Sequence, residues 1–225
     1  MNSWQKILWR LKVLFLESWG KDWEVIKFSL LPADQRGASA LTEFLDRKKI
    51  IQLDKRNKSF KFEKAVFYYD KDDNKSSCIA DFVSIWGADS KYLKKNFLDS
   101  SAYSFEGPYE DNEVRIKKGD YVVDAGANIG LFSILASLKV ESEGKVFAFE
   151  PIFRTRQLLA KNLQINKNKN VEILPLALGN RSQEVEFMVA DNLGESSMFP
   201  QGDCAKEKIK QVSLDDFVID NKITK

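Results

Sequence analysis

Residues 117–133, KKGDYVVDAGANIGLFS, constrain the fold more than any other stretch. A short β-prone run over 120–124 ends in Asp124, and a turn of small residues then opens an apolar helix over 129–138. Gly126 and Gly130 let the backbone turn sharply and come close to a ligand where a side chain would obstruct. The helix start is expected to turn its unpaired N–H groups toward that ligand. Asp124, at the carboxyl end of its strand, stands where open α/β sheets bind their ligands.

Spacing narrows the ligand. A dinucleotide loop wants G-x-G-x-x-G, but Asn128 and Leu131 occupy the positions two and five after Gly126. No Gly-Lys-Ser/Thr follows, so a phosphate-cradling Walker loop is excluded as well. What remains is Asp124, Gly126, Asn128 and Gly130, with a second acid, Glu150, ending the next expected strand over 145–150. An acid there can accept both hydroxyls of a ribose, which suits a nucleoside without a pyrophosphate. S-adenosylmethionine is such a ligand.

The loop DAGANIG (124–130), followed by FEP (149–151), NV (170–171), LALG (176–179) and VSLDD (212–216), resembles the FkbM-type class I methyltransferases. Tyr109 and Glu110, just before the first strand, fit the same pattern. The resemblance covers the second half of the chain and implies an S-adenosylmethionine-dependent methyltransferase acting on an oxygen of a sugar, surface glycan or secondary metabolite. It implies an in-line attack on the sulfonium methyl group, with the protein supplying mainly orientation. Tyr109, Asp124, Gly126, Ala127, Asn128, Gly130, Glu150 and Leu176 are the implied cofactor-binding residues. Asp124 would hold the loop or the donor's amino group, Glu150 the ribose, and Leu176 with Ala177 the adenine. A strand-end cap for Asp124 and a solvated loop acid for Glu150 are the plainer alternatives. No catalytic base can be named, and Ser196 with Ser197 read as a polar loop.

Composition excludes several other classes. The 225 residues are 44% hydrophobic with a net charge of +2, too balanced for a nucleic-acid face. Without histidine, the commonest metal ligand and general base are both absent. Cys78 and Cys204 are far apart, without metal spacing, and read as reduced thiols of a cytoplasmic protein.

The expected organisation is α/β: a smaller α+β region over 1–105, then a Rossmann-like sheet over 106–225 in which strands and helices alternate. Residues 3–20 form an amphipathic helix too charged to span a bilayer, expected to pack on its own domain or a partner, with contact at a membrane surface as the alternative. A further short helix is expected over 42–49, and another over 89–98. Strands of a small β layer are expected over 60–69 and over 78–86. The stretch 70–74, DKDDN, would need Gly and Glu where Lys75 and Asp81 stand to be an EF-hand, and so reads as a turn. Helix 153–165, strand 171–176, β runs over 184–190 and 209–214, and a short helix over 215–219 complete the chain.

FkbM-type domains continue past the LDD block into a fourth parallel strand that pairs with the first. The sequence ends at Lys225, so the expectation is a sheet incomplete on its C-terminal side: a truncated or split enzyme whose open edge invites a partner strand. The alternative is a non-catalytic remnant that binds the nucleoside or a protein partner.

Overall fold

The computed structural model describes residues 38–70, 77–87, 90–93, 115–189 and 205–224. The expected helix over 3–20, Tyr109, Glu110, Ser196, Ser197 and Cys204 lie outside the described residues, as does all of the 70–74 turn but Asp70. The chain forms two compact units, one of residues 1–44 and 75–111, the other of 45–74 and 112–225.

In the first unit, α2 (Ser77–Trp86) is a helix, correcting the strand expected over 78–86. Ile79, Phe82, Val83 and Trp86 recur at helical spacing and are all buried, and the rings of Phe82 and Trp86 stack. With Asp81 as its exposed position, the segment buries nearly all its other side chains as a helix. The short helix α3 (Lys91–Leu93) is the described part of the helix expected over 89–98. Helix α1 (Ala38–Arg47) starts four residues ahead of the expected position and runs across the boundary between the units.

The second unit opens with a meander of β1 (Gln52–Asp54), β2 (Ser59–Phe62) and β3 (Ala65–Tyr68), paired antiparallel in sequence order. Phe60 and Phe67 are fully buried and stack across β2 and β3. The meander belongs to the same unit as the second half of the chain, so the unit boundaries differ from the 105/106 division expected from sequence. The physical tie is a pair of asparagines on α5 (Phe153–Asn166). Asn162 and Asn166, four apart on the helix, each accept from and donate to the backbone of Tyr68 and Val66, two apart on β3. Their carboxamides take the place of a neighbouring strand along the free edge of the meander.

The unit continues with β4 (Tyr121–Ala125), α4 (Leu131–Val140), β5 (Lys145–Phe149), α5 and β6 (Val171–Leu174). The three strands pair in parallel in the order β4-β5-β6, with Val123 opposite Phe147 and Phe147 opposite Glu172. This is the Rossmann-like βαβαβ arrangement expected from the alternation of elements. Side chains of β5 alternate between faces: Val146 packs with Ala136 and Val140 of α4, while Phe147 and Phe149 pack on Phe217. Phe217 lies on α6 (Leu214–Asp220), whose N-cap is Ser213.

The second sheet is β7-β9-β8, built from β7 (Ala177–Gly179), β8 (Gln183–Val189) and β9 (Ala205–Ser213). Here β9 runs parallel to β7 and antiparallel to β8. Among the described residues β4 has a strand neighbour on one side only, and Tyr121 at its start is 41% exposed. No described helix is long and apolar enough to cross a membrane.

Candidate functional site: a carboxylate-strapped loop at the carboxyl end of the sheet

The loop from β4 to α4 is held by its own backbone and by two buried acids. Gly126 and Ala127 donate their N–H groups to the carbonyl of Phe149, at 3.0 and 2.9 Å, which ties the loop to the end of β5. Gly130 donates to Ala127 at 2.8 Å and closes the turn. Three loop residues take positive φ: Gly126 at +82°, Asn128 at +48° and Gly130 at +93°. Asn is the residue other than glycine that enters this region most readily. Gly130 is also required sterically, because a Cβ there would stand 2.6 Å from Leu159 Cδ1.

Glu150 is 6% exposed and straps the loop. Its Oε2 accepts the N–H of Asn128 and its Oε1 the N–H of Ile152, both at 2.9 Å. A carboxylate has about four acceptor positions, so capacity remains for hydroxyl donors beside these bonds. Burial raises the Glu150 pKa, against the lowering effect of the two backbone donors and of the Arg156 charge. The Arg156 guanidinium donates to the carbonyls of Glu150 and Pro151 at 3.0 and 2.7 Å, fixing the turn that carries the acid.

Asp124 is buried as well and accepts the hydroxyl of Ser133 at 2.5 Å. The backbone N–H of Ser133 also bonds to it. Gly130, at the N-cap of α4, has no side chain with which to cap the helix, and Asp124 reaches across from the strand to do so. Its carboxylate also counters the positive end of the helix. Desolvation nevertheless outweighs these bonds, and the Asp124 pKa is pushed up to about 6.

These contacts correct one expectation from sequence. The N–H groups of Gly126, Ala127 and Asn128 are taken by acceptors at the end of β5, that of Gly130 by Ala127 and that of Ser133 by Asp124, so these five are not turned toward a ligand. A loop with five of its amides taken and two carboxylates behind it is a poor cradle for a pyrophosphate, whose charge it would repel. It suits a neutral or cationic ligand. Two features leave room for one: among the described residues nothing lies within 4 Å of a Cβ built on Gly126, and the buried Asn128 Oδ1 has no hydrogen-bond partner. An orphaned buried acceptor is costly unless a donor reaches it. By these two observations, the residues fit a nucleoside carrying an ammonium group and a sulfonium.

Of the remaining expected residues, Ala127 is buried in the loop, and Leu176 is half-buried against Phe147, Phe149 and Phe217. Asp124, Gly126, Ala127, Asn128, Gly130 and Glu150 thus converge at one end of the sheet. Ser133, Arg156 and Asn162 support them and were not anticipated. Asn162 is fully buried and donates to the carbonyl of Ile129 at 2.8 Å. A cleft of about 650 Å³ lies at the opposite end of the sheet, where Tyr121 and Lys145 begin their strands. Open parallel sheets bind ligands at the other, carboxyl end, and the strapped loop is the candidate site. Among the described residues no group of three acids or cysteines is placed to hold a metal ion.

No family model matches the chain. Over 122 residues it is 35% identical to methyltransferase sdnD of Sordaria araneosa, a match that takes in 53% of this chain and 44% of that protein. The chain therefore spans under half the length of this curated relative. Solved structures with partial likeness include a SAM-dependent methyltransferase from Aquifex aeolicus, 28% identical with a TM-score of 0.26, covering 27% of this chain and 32% of that one. Another is a SAM-dependent O-methyltransferase from Thermotoga maritima, 14% identical with a TM-score of 0.27, covering 43% of this chain and 61% of that one.

Proposed function

We propose that the chain is the cofactor-binding part of an S-adenosylmethionine-dependent methyltransferase of the FkbM type, acting in the cytoplasm on a hydroxyl of a sugar, surface glycan or secondary metabolite. The observation that carries this reading is the loop strapped by Glu150 and Asp124, with Asn128 Oδ1 left as an acceptor. Similarity to a curated methyltransferase supports it over 122 residues.

The bound cofactor would supply an activated methyl group, transferred in line to the acceptor oxygen as the carbon–sulfur bond breaks. The protein's own part is positional. Glu150 would use its remaining acceptor capacity on the ribose hydroxyls while its present bonds keep Asn128 in place. Gly126 would let the backbone approach the ligand. Asp124, through Ser133, would hold α4 in register with the loop, and Leu176 would border the adenine with Tyr109 nearby. The buried acids would complement the positive charge of the donor. The side of β4 that has no strand neighbour among the described residues would accept a partner's strand.

Transfer of a labelled methyl group from S-adenosylmethionine to a panel of sugar and polyol hydroxyls tests the activity. Labelled product is the expected result. A folded chain that binds the cofactor yet labels no acceptor would favour a binding role without turnover.

A further inference from the structure

The side chain of Asn162 links the meander of β1 to β3 with the candidate site. Asn162 is fully buried, and both ends of its carboxamide are engaged. Oδ1 accepts the N–H of Tyr68 at 2.7 Å, while Nδ2 donates to the carbonyl of Tyr68 at 2.9 Å and to the carbonyl of Ile129 at 2.8 Å. Ile129 lies between Asn128 and Gly130, both in left-handed backbone, so the orientation of its carbonyl sets how the loop turns. The neighbouring Asn166 makes the same paired bonds to Val66 but donates its other hydrogen to Asn162, and has no bond to the loop. The two asparagines thus share the task of docking the meander, and only one of them reaches the ligand loop.

We propose that Asn162 is a positioning residue for the nucleoside loop, and that through it the β1–β3 meander forms part of the scaffold of the cofactor site. The inference rests on the nucleoside reading given above. Without the bond from Nδ2, the Ile129 carbonyl loses its buried donor, and the 128–130 turn can relax away from the geometry in which Asn128 Oδ1 meets the ligand. A misplacement of this kind, outside direct contact with the ligand, is enough to weaken binding severalfold to a hundredfold.

The test compares Asn162→Ala and Asn166→Ala in the full chain by amide hydrogen exchange and by calorimetric titration of S-adenosylhomocysteine. Asn162→Asp is a second variant: it keeps the acceptor for the Tyr68 N–H and removes the donations to the carbonyls of both Tyr68 and Ile129, at the cost of a buried charge. The expected result is exchange at Asn128 and Gly130 accelerated about tenfold in both Asn162 variants but not in Asn166→Ala, with S-adenosylhomocysteine bound about tenfold more weakly in the Asn162 variants alone. Equal loop exchange in the variants of both positions would overturn the proposal, as would unchanged affinity for S-adenosylhomocysteine in a folded Asn162 variant. If the parent itself binds no S-adenosylhomocysteine, the ligand reading fails, while the exchange rates still decide whether Asn162 positions the loop.

Discussion

Replacing each loop glycine by alanine separates the two reasons for glycine in this turn. At Gly130 both apply. The backbone is left-handed at φ +93°, and the new methyl would stand 2.6 Å from Leu159 Cδ1. A Cβ in left-handed backbone costs about 1–2 kcal/mol. Carbon atoms prefer to sit about 3.5–4.0 Å apart, so the contact is about 1 Å too close. Leu159 is fully buried and cannot swing into solvent, so overpacking adds about 1–3 kcal/mol. Gly130→Ala should therefore lose about 2–5 kcal/mol. Gly126→Ala carries only the backbone cost, about 1–2 kcal/mol, because its Cβ would meet nothing within 4 Å. That methyl would instead project into the room argued to admit ligand, so Gly126→Ala should lose binding far more than stability. Urea unfolding followed by circular dichroism measures both costs. A Gly130→Ala variant no less stable than Gly126→Ala would refute the steric argument. In a double-mutant cycle, Leu159→Ala should cost less in the Gly130→Ala background than in the parent.

Glu150→Ala should lower stability by about 2–4 kcal/mol, since it strips the acceptor from two backbone N–H groups; denaturant unfolding reads the loss, and a change under 1 kcal/mol would show the strap to be idle. Asp124 has a folded pKa of about 6, above its ordinary value of 3.8. The folded state therefore keeps a proton that the unfolded state has lost between these values, and the contribution of Asp124 falls by about 3 kcal/mol as pH rises through this window. Asp124→Asn should flatten that slope and be at least as stable as the parent at pH 7, as unfolding curves at several pH values would show. Ser133→Ala, which removes the hydroxyl donated to Asp124, should raise the Asp124 pKa further and shift the same slope to higher pH.

The parallel unit was legible because its sequence is locally consistent. Val122 and Val123 in β4 and residues 146–149 in β5 are apolar, their strands end in Asp124 and Glu150, and glycines stand where the turn needs them. The six converging loop residues could be named for the same reason. Residues 78–86 were misread because a run apolar on nearly every side carries the strand signal as well as the helical one, although Ile79, Phe82, Val83 and Trp86 hold the helical period. The docking of the meander was hidden because Asn162 and Asn166 look like an ordinary polar face. Asparagine is a poor helix former that competes for backbone partners, so two of them four apart toward the end of a helix, Asn162 and the final residue Asn166, were the available hint. Strand β7, with three residues, and β1, with three, are too short to show any alternation.

Nor could sequence show that the two acids turn inward. A strand-end acid reads equally as a ligand contact or a cap, and Asp124 is both buried and capping, with Ser133 as its partner. For Glu150, the bonds to Asn128 and Ile152 depend on a turn held by Arg156 six residues on, a contact with no sequence signature.

Calorimetric titration of S-adenosylhomocysteine and, separately, NAD into the chain decides whether the strapped loop receives a nucleoside without a pyrophosphate. Saturable binding of S-adenosylhomocysteine at micromolar affinity is expected, lost in Gly126→Val while circular dichroism stays that of a folded chain, with no heat from NAD. A folded parent that binds NAD, or that binds neither ligand, would contradict the nucleoside reading.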